Sequence, residues 1–242
     1  MQKEDFLMKT LLIIPAYNEQ ENIVRTLQDI KANAPGMDYV VINDCSKDNT
    51  RKILKEYGAN FLDLPVNLGI GGGVQTGYRY ALEHDYDIAV QFDGDGQHDA
   101  RYLSSLIAPI ISGEADAAIG SRFIEKEGFQ SSAMRRFGIS FLSSLIKLLS
   151  GVKIYDVTSG FRAVNRSMIA FFAENYPQDY PEPDAILLST LEGFRLVEVP
   201  AQMRERVGGQ SSISSFRAVY YMVKVSISLI VSRLSHKRRK IK

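Results

Sequence analysis

Two residue types that staple or anchor proteins are almost absent from this chain of 242 residues: it has one cysteine, Cys45, and no tryptophan. A single thiol cannot close an internal disulfide, so a disulfide scaffold is excluded and a reducing compartment is predicted. An excess of charge is missing too. Lys plus Arg number 29 against 28 Asp plus Glu, a net charge of +1, which argues against a general nucleic-acid binder held by a basic surface. That balance hides one asymmetry, because residues 233–242 carry six Lys/Arg and no acid. Long apolar runs are lacking. The longest, residues 218–231, is interrupted by Lys224 and is shorter than the ~20 residues of a bilayer-spanning helix. Residues 1–9 are charged and the apolar run behind them stops at Pro15, so no secretory leader is predicted.

What the sequence does have is alternation. Apolar residues make up 45% and charged residues 24%, the balance of one ordinary globular domain. Short β-branched runs at 10–14, 39–43, 59–62, 88–92 and 115–119 read as strands. Helix-period segments lie between them at 19–31, at 48–57 with Asp48 as cap, at 73–83 and at 100–111. This order predicts an α/β fold with a largely parallel sheet and helices on both faces. In such sheets ligands bind beyond the carboxyl ends of the strands. The second half is less regular: a helix at 131–149, a loop-rich stretch at 156–166, a short helix at 185–192, a strand at 196–199 and a long apolar-rich helix at 214–234. No linker divides residues 1–212. The predicted organisation is one domain over 1–212, then a C-terminal amphipathic helix and basic tail over 213–242.

The densest chemistry is Phe92-Asp93-Gly94-Asp95-Gly96-Gln97-His98. An apolar strand ends in two carboxylates separated by one glycine. Oxygen ligands at this density suit a hard divalent cation, Mg²⁺ or Mn²⁺. A plain polar turn is the alternative; a calcium loop of the EF-hand type is excluded because no Glu lies twelve positions from Asp93. Pro15-Ala16-Tyr17-Asn18-Glu19 and Asn43-Asp44 follow two other strands. They offer an aromatic face and two carboxylates, what a nucleoside needs for its base and ribose, although Asn18 and Glu19 also serve as helix caps. Gly69-Ile-Gly71-Gly-Gly73 lacks the spacing of a dinucleotide turn or a P-loop and reads as a loop letting backbone approach a nucleotide. Tyr180-Pro-Glu182-Pro-Asp184 sets two acids between prolines before a helix, with Asp184 as an N-cap or as a base. His98 reads as a polar neighbour of the aspartates, with support of the aspartates from behind as the alternative, and Cys45 reads as packing.

In order along the chain, Ile13-Ile-Pro-Ala-Tyr-Asn-Glu19, Val40-Val-Ile-Asn-Asp44, Asn67-Leu-Gly-Ile-Gly-Gly-Gly73, Gln91-Phe-Asp-Gly-Asp-Gly-Gln97, Gly120-Ser-Arg122 and Asp156-Val-Thr-Ser-Gly-Phe-Arg162 resemble family-2 glycosyltransferases, the dolichyl/polyprenyl-phosphate sugar synthase branch above all. The resemblance runs from about residue 11 to 212. It implies a GT-A fold (the Rossmann-like fold of nucleotide-diphospho-sugar transferases), a UDP- or GDP-hexose donor, a divalent metal and inversion at the anomeric carbon. Carried over by motif, Pro15, Tyr17, Glu19, Ile42 and Asp44 would line the nucleoside pocket. Asp93, Gly94 and Asp95 would be the Asp-x-Asp signature, with Asp95 and Gln97 on the metal. Arg122 would face donor or acceptor phosphates. Arg206-Val-Gly-Gly-Gln-Ser211 matches the loop that closes over the diphosphate, but Ser212 stands where the family often has Lys, which shifts that work to Arg206.

A lipid phosphate acceptor is already anionic, so the site needs cations to hold it rather than a base; Arg122, Arg135, Arg136 and Arg162 are candidates. The implied reaction is transfer of one hexose to polyprenyl phosphate. Transfer to a glycan hydroxyl and a non-catalytic nucleotide-binding scaffold are the rivals, and a nucleotidyltransferase is weaker, with no basic signature loop after the first strand. The C-terminal helix with Lys237-Arg-Arg-Lys240 suits a helix lying on anionic lipid. That predicts a cytoplasmic enzyme, peripheral at the inner face of the cell membrane, docked alone or through a small membrane partner. Packing of this helix on its own domain, or on a second subunit in a homo-oligomer, is the alternative.

Overall fold

The structure is a computed structural model that describes residues 8–125, 133–204 and 215–236. Its centre is a seven-stranded sheet in the order β3-β2-β1-β4-β6-β5-β7. The strands are β1 (Thr10–Ala16), β2 (Asp38–Asn43), β3 (Phe61–Asp63), β4 (Ile88–Gln91), β5 (Ala117–Ser121), β6 (Arg162–Asn165) and β7 (Leu196–Pro200). Leu11 to Ile14 and Val40 to Ile42 are wholly buried, as expected of parallel strands covered on both faces. β1 runs parallel to β2 and β4, β2 to β3, and β5 to β7. The stretch predicted as loop at 156–166 instead ends in β6, antiparallel to both β4 and β5. Four residues with a charge at the first and a polar side chain at the last carry too little alternation to read as a strand.

Eight helices cover the sheet among the described residues: α1 (Ile23–Asn33), α2 (Thr50–Tyr57), α3 (Gly69–Glu83), α4 (Leu103–Ile111), α5 (Ala133–Ser150), α6 (Arg166–Asn175), α7 (Pro181–Leu191) and α8 (Ser215–Ser235). One apolar layer joins β1, β2, β4 and β5 to α1 and α4, and a second joins the other face to α3 and α6. A third lies between α5, α7 and α8 and includes Ile146, Ile186, Val225 and Leu229.

Two boundaries correct the sequence reading. The glycine run 69–73 is the first turn of α3, not a loop. An added Cβ at Gly71 would stand 2.3 Å from the carbonyl oxygens of Pro177 and Gln178. Gly71 is therefore a close-packing residue where two segments meet, rather than backbone facing a nucleotide. α7 starts at Pro181 with Tyr180 as its N-cap, so Asp184 lies in the first turn and caps nothing.

Candidate active site at the carboxyl edge of the sheet

Because β1, β2 and β4 are parallel neighbours, the residues that follow them emerge on one edge. These are Tyr17 to Glu19, Asp44, and Asp93 to His98. β6 runs the other way, so its beginning arrives at that same edge, with Arg162 opposite Gln91 in β4 and Ile119 in β5. The turn after β4 is tied to β1 and α1: Gly94 donates its N–H to the Pro15 carbonyl at 3.2 Å, and Thr26 Oγ1 donates to the Gly94 carbonyl at 3.2 Å.

Asp93 is braced from behind. Its Oδ1 accepts from Gln91 Nε2 at 3.0 Å, and Gln91 Oε1 accepts from the Tyr176 hydroxyl at 3.1 Å. Gln91 is wholly buried. His98, also buried, accepts the Asp93 N–H on Nδ1 at 3.0 Å, which leaves its ring proton on Nε2, 3.5 Å from Asp93 Oδ2. A Cβ at Gly160 would lie 2.8 Å from both Asp93 Oδ2 and Gln91 Nε2, so a side chain here would push the two out of place. The predicted polar neighbour His98 thus holds the first aspartate directly, and Gln91, Gly160 and Tyr176 join it. Only the position of Gln91, a polar residue at the end of an apolar strand, signalled this in the sequence.

Asp95 accepts the Gln97 N–H at 3.0 Å, and the Gln97 carbonyl accepts the Arg204 N–H at 2.8 Å. Arg204 is held in turn by Asp29 at 3.0 Å and Asp99 at 2.8 Å. Among the described residues no three His, Cys, Asp or Glu side chains form a metal cage. Asp95 and Gln97, with Asp93 beside them, are an all-oxygen, low-count donor set. That set fits Mg²⁺ or Mn²⁺, which take one or two carboxylates and complete their shell with substrate phosphates.

On the nucleoside side, Tyr17 is 42% exposed and Glu19 is buried, its Oε2 accepting from Asn22 at 2.8 Å. Asp44 is buried, and its Oδ1 accepts the Leu68 N–H at 2.7 Å. Pro15 sits within β1 and turns its carbonyl to Gly94. Ile42 departs from the expectation: its side chain is wholly buried in the layer under α3, so it lines no open pocket.

The arginines are corrected more sharply. Arg122 and Asp156 form a fork-to-fork pair, Nε to Oδ2 and Nη2 to Oδ1 both at 2.7 Å, at 10% and 0% side-chain exposure. Arg122 holds the 156–160 segment and does not face solvent phosphates. Arg162 is 3% exposed, donates to the Ser159 carbonyl at 2.7 Å, and its Nε has no hydrogen-bond partner. It is a buried positive charge behind Asp93, out of reach of an acceptor. Arg136 is exposed on α5. The side chain of Arg135 and the whole of Arg206 lie outside the described residues.

The two acids of α7 separate. Asp184 accepts from Ser228 Oγ of α8 at 2.6 Å; burial pushes its carboxyl above the usual range. Glu182 is the acid that senses the site. Burial raises its carboxyl, the Arg162 charge opposes the rise and the Asp93 charge adds to it. The sequence reading placed the candidate base at Asp184; of the two acids, Glu182 is the one whose carboxyl feels the Asp93 charge.

Known proteins carry the same plan. The sequence profile described as glycosyl transferase family 2 matches residues 11–171. Polyprenol monophosphomannose synthase of Mycolicibacterium smegmatis is 30% identical over 240 residues, 95% of this chain and 90% of that protein. UDP-N-acetylglucosamine–dolichyl-phosphate N-acetylglucosaminyltransferase of Methanococcus voltae is 31% identical over 212 residues, 78% of this chain and 83% of that protein. Among solved structures, Mycobacterium tuberculosis glucosyl-3-phosphoglycerate synthase with Mn²⁺, UDP and glucosyl-3-phosphoglycerate overlaps at TM-score 0.68 and 16% identity, covering 96% of this chain and 82% of that one. That overlap shows the fold, the GT-A arrangement of a mostly parallel sheet.

Proposed function

From the premise that this chain belongs to glycosyl transferase family 2 and is a glycosyltransferase, we propose that it moves one hexose from a UDP- or GDP-sugar to the phosphate of a polyprenyl phosphate, with inversion. The observation that carries this reading is the Asp93–Gln97 turn, with its first carboxylate immobilised by Gln91 and His98. The names of the relatives support a polyprenyl- or dolichyl-phosphate acceptor, and they span more than one sugar.

In this reading Asp95 and Gln97 would hold Mg²⁺ or Mn²⁺, which would supply positive charge where the leaving diphosphate gains negative charge. Tyr17, Glu19 and Asp44 hold the nucleoside. Asp93, fixed in one rotamer by its buried partners, orients the donor so that little is lost to reorganisation. Arg206 adds charge at the diphosphate, and Arg136 is the exposed cation for the acceptor phosphate. A lipid phosphate needs no proton removed at neutral pH. A second reading is favoured by Glu182: a carboxyl raised by burial and by the Asp93 charge is what a hydroxyl acceptor, such as a glycan, would need as base.

The acceptor also bears on location. Among the described residues no helix is long and apolar enough to cross a membrane. α8 buries Val225 and Leu229 against its own domain, yet leaves Val223, Ile227, Ile230, Val231 and Leu234 exposed; α5 adds Phe137, Phe141 and Leu148. With Arg233 and the basic residues 237–242, this suits peripheral docking on an anionic membrane face.

The test is a hydrolysis screen of nucleotide sugars with Mn²⁺ and Mg²⁺, followed by transfer to short-chain prenyl phosphates. One donor should be turned over only with a divalent ion, and the sugar should pass to the prenyl phosphate. Unchanged turnover by Asp95→Ala, or nucleotide binding with neither hydrolysis nor transfer across the panel, overturns the reading.

A further inference from the structure

We infer that α8 is a positioning element of the active site: its inner face fixes the connection between α6 and α7 that reaches the Asp93 turn. The inference rests on the reading of that turn as a sugar-transfer centre.

Three residues of α8, Tyr221, Lys224 and Ser228, lie three and four positions apart and so share one face. Two of them take hold of the connection between α6 and α7, and the third takes hold of the first turn of α7 just behind it. The Tyr221 ring meets the Tyr180 ring edge-on, with centroids 4.7 Å apart. Lys224 Nζ reaches Asp179 Oδ2 at 2.9 Å and stands 5.1 Å from the Tyr180 ring centroid. Ser228 Oγ donates to Asp184 Oδ2 at 2.6 Å, while the other oxygen of Asp184 is buried without a partner.

The connection is bound to the active site at its other contacts. Tyr176 donates to Gln91, which holds Asp93. The Pro177 and Gln178 carbonyls press on Gly71 at the start of α3, and Gln178 Nε2 donates to Gln75 Oε1 at 2.9 Å. Glu182 lies between the residues that α8 grips at 179–180 and at 184. Tyr180 itself has φ +49°, a left-handed conformation for a bulky non-glycine residue. Such a backbone persists only where its surroundings over-determine it. Here the surroundings include Tyr221 and Lys224 of α8, next to the apolar cluster of α5, α7 and α8 on which the Tyr180 ring packs. Removing the grip of α8 takes the Tyr221 and Lys224 contacts from Tyr180 and leaves only its packing on the rest of that cluster, so the start of α7 with Glu182 is held less firmly relative to Asp93.

α8 thus carries two faces with separate tasks. The exposed stripe suits the membrane docking proposed above, and the inner face sets the geometry of the 176–184 connection. Asp184, through its bond with Ser228, is a positioning residue in the first turn of α7.

The test compares the full chain with Ser228→Ala, Lys224→Ala, the double variant and Asp184→Asn. Transfer to a short-chain prenyl phosphate is followed together with Mn²⁺ affinity by electron paramagnetic resonance and with hydrogen exchange at residues 176–184. The double variant should lose about 10-fold or more in kcat, the scale of an ångström-level misplacement, while KM for the nucleotide sugar moves less than about 3-fold and Mn²⁺ affinity holds. Its 176–184 amides should exchange faster. Asp184→Asn, whose amide oxygen still accepts from Ser228, should keep most of the rate. A double variant with wild-type kcat, or with unchanged exchange at 176–184, overturns the inference. A purely structural role is shown if kcat and KM of the folded fraction stay normal while the melting temperature drops, and that also overturns it. If the wild type transfers no sugar to any acceptor, the reading of the site has failed first. Exchange at 176–184 then decides the inference alone.

Discussion

Gln91 spans two residues with one amide: its Nε2 donates to Asp93 Oδ1 at 3.0 Å and its Oε1 accepts from the Tyr176 hydroxyl at 3.1 Å. The amide is wholly buried, so each half of it has one place to go. Gln91→Leu keeps the volume and removes both bonds. It strands a buried tyrosine hydroxyl and should cost about 1–3 kcal/mol of stability. It should also weaken Mn²⁺ and nucleotide binding by about 10-fold, because Asp93 then samples several rotamers. Thermal melts and Mn²⁺ titration read the two effects separately. Intact binding with only a lower melting temperature would show that Asp93 needs no brace.

Arg122 and Asp156 should behave as a buried ion pair. Arg122→Ala leaves the Asp156 carboxylate uncompensated and should cost about 3–5 kcal/mol. Replacing both residues, as in Arg122→Met with Asp156→Leu, should recover most of that loss. A folded, stable Arg122→Ala with only a raised KM for the acceptor would return Arg122 to a phosphate-binding role.

Glu182→Gln and Asp184→Asn separate the two acceptor chemistries. With a phosphate acceptor, Glu182→Gln should stay within a few fold of the wild-type kcat. With a hydroxyl acceptor it should lose about 100-fold or more, the usual contribution of a general base. Asp184→Asn should have little effect in either case. Steady-state rates on prenyl phosphate and on a sugar acceptor decide between them.

The acids with shifted carboxyls give opposing pH dependences. Burial alone would raise Asp99, but the hydrogen bonds and charges of Arg101 and Arg204 outweigh it and hold Asp99 below its ordinary 3.8. Arg195 does the same for Asp116, chiefly by hydrogen bonding. Both acids bind fewer protons folded than unfolded, so their stabilisation is present above 3.8 and is lost as pH falls through the folded values. Asp184 is raised by burial from 3.8. It binds more protons folded, so its contribution declines as pH rises from 3.8 through its folded value. Asp184→Asn should therefore gain in melting temperature relative to wild type on going from pH 4 to pH 7. Asp99→Asn should flatten the acid limb of the curve. Parallel melting curves across that range would contradict both assignments.

Docking on lipid should have an electrostatic and an apolar part. Removing residues 237–242 should lower flotation with anionic vesicles, as should added salt, and should leave weak binding to neutral vesicles unchanged. Ile227→Ser together with Leu234→Ser should lower binding to both kinds. Undiminished flotation of both variants would remove α8 and the tail from the membrane contact.

The alternating first half was legible because β-branched strands and helix-period segments obey local rules, and the Asp93–His98 turn stood out as carboxylates at a strand end. What escaped the sequence was set by tertiary contact. β6 is a strand because β4 and β5 pair with it, not because Arg162-Ala-Val-Asn165 prefers that state. The glycines of 69–73 are poor helix formers and read as loop, yet the carbonyls of 177–178 require that turn to be free of side chains. α6 did leave a signal: Asn165 caps it by accepting the Met168 N–H at 3.0 Å, and Met168, Ile169, Phe172 and Ala173 follow at helix spacing. Charge type was legible but destination was not. Arg122 and Arg162 look in sequence like phosphate ligands, and only the packing around them shows one paired and both buried.

The reversal of β6 has a practical corollary. Since that strand enters at the edge that carries the Asp93 turn and leaves at the far one, the 156–161 stretch borders the proposed donor site, and lengthening it would rebuild the wall on that side. The turns at Gly113 and Gly193 lie on the far rim, where β5 and β7 begin. Those are the places to splice in a reporter or a purification sequence while leaving the chemistry untouched.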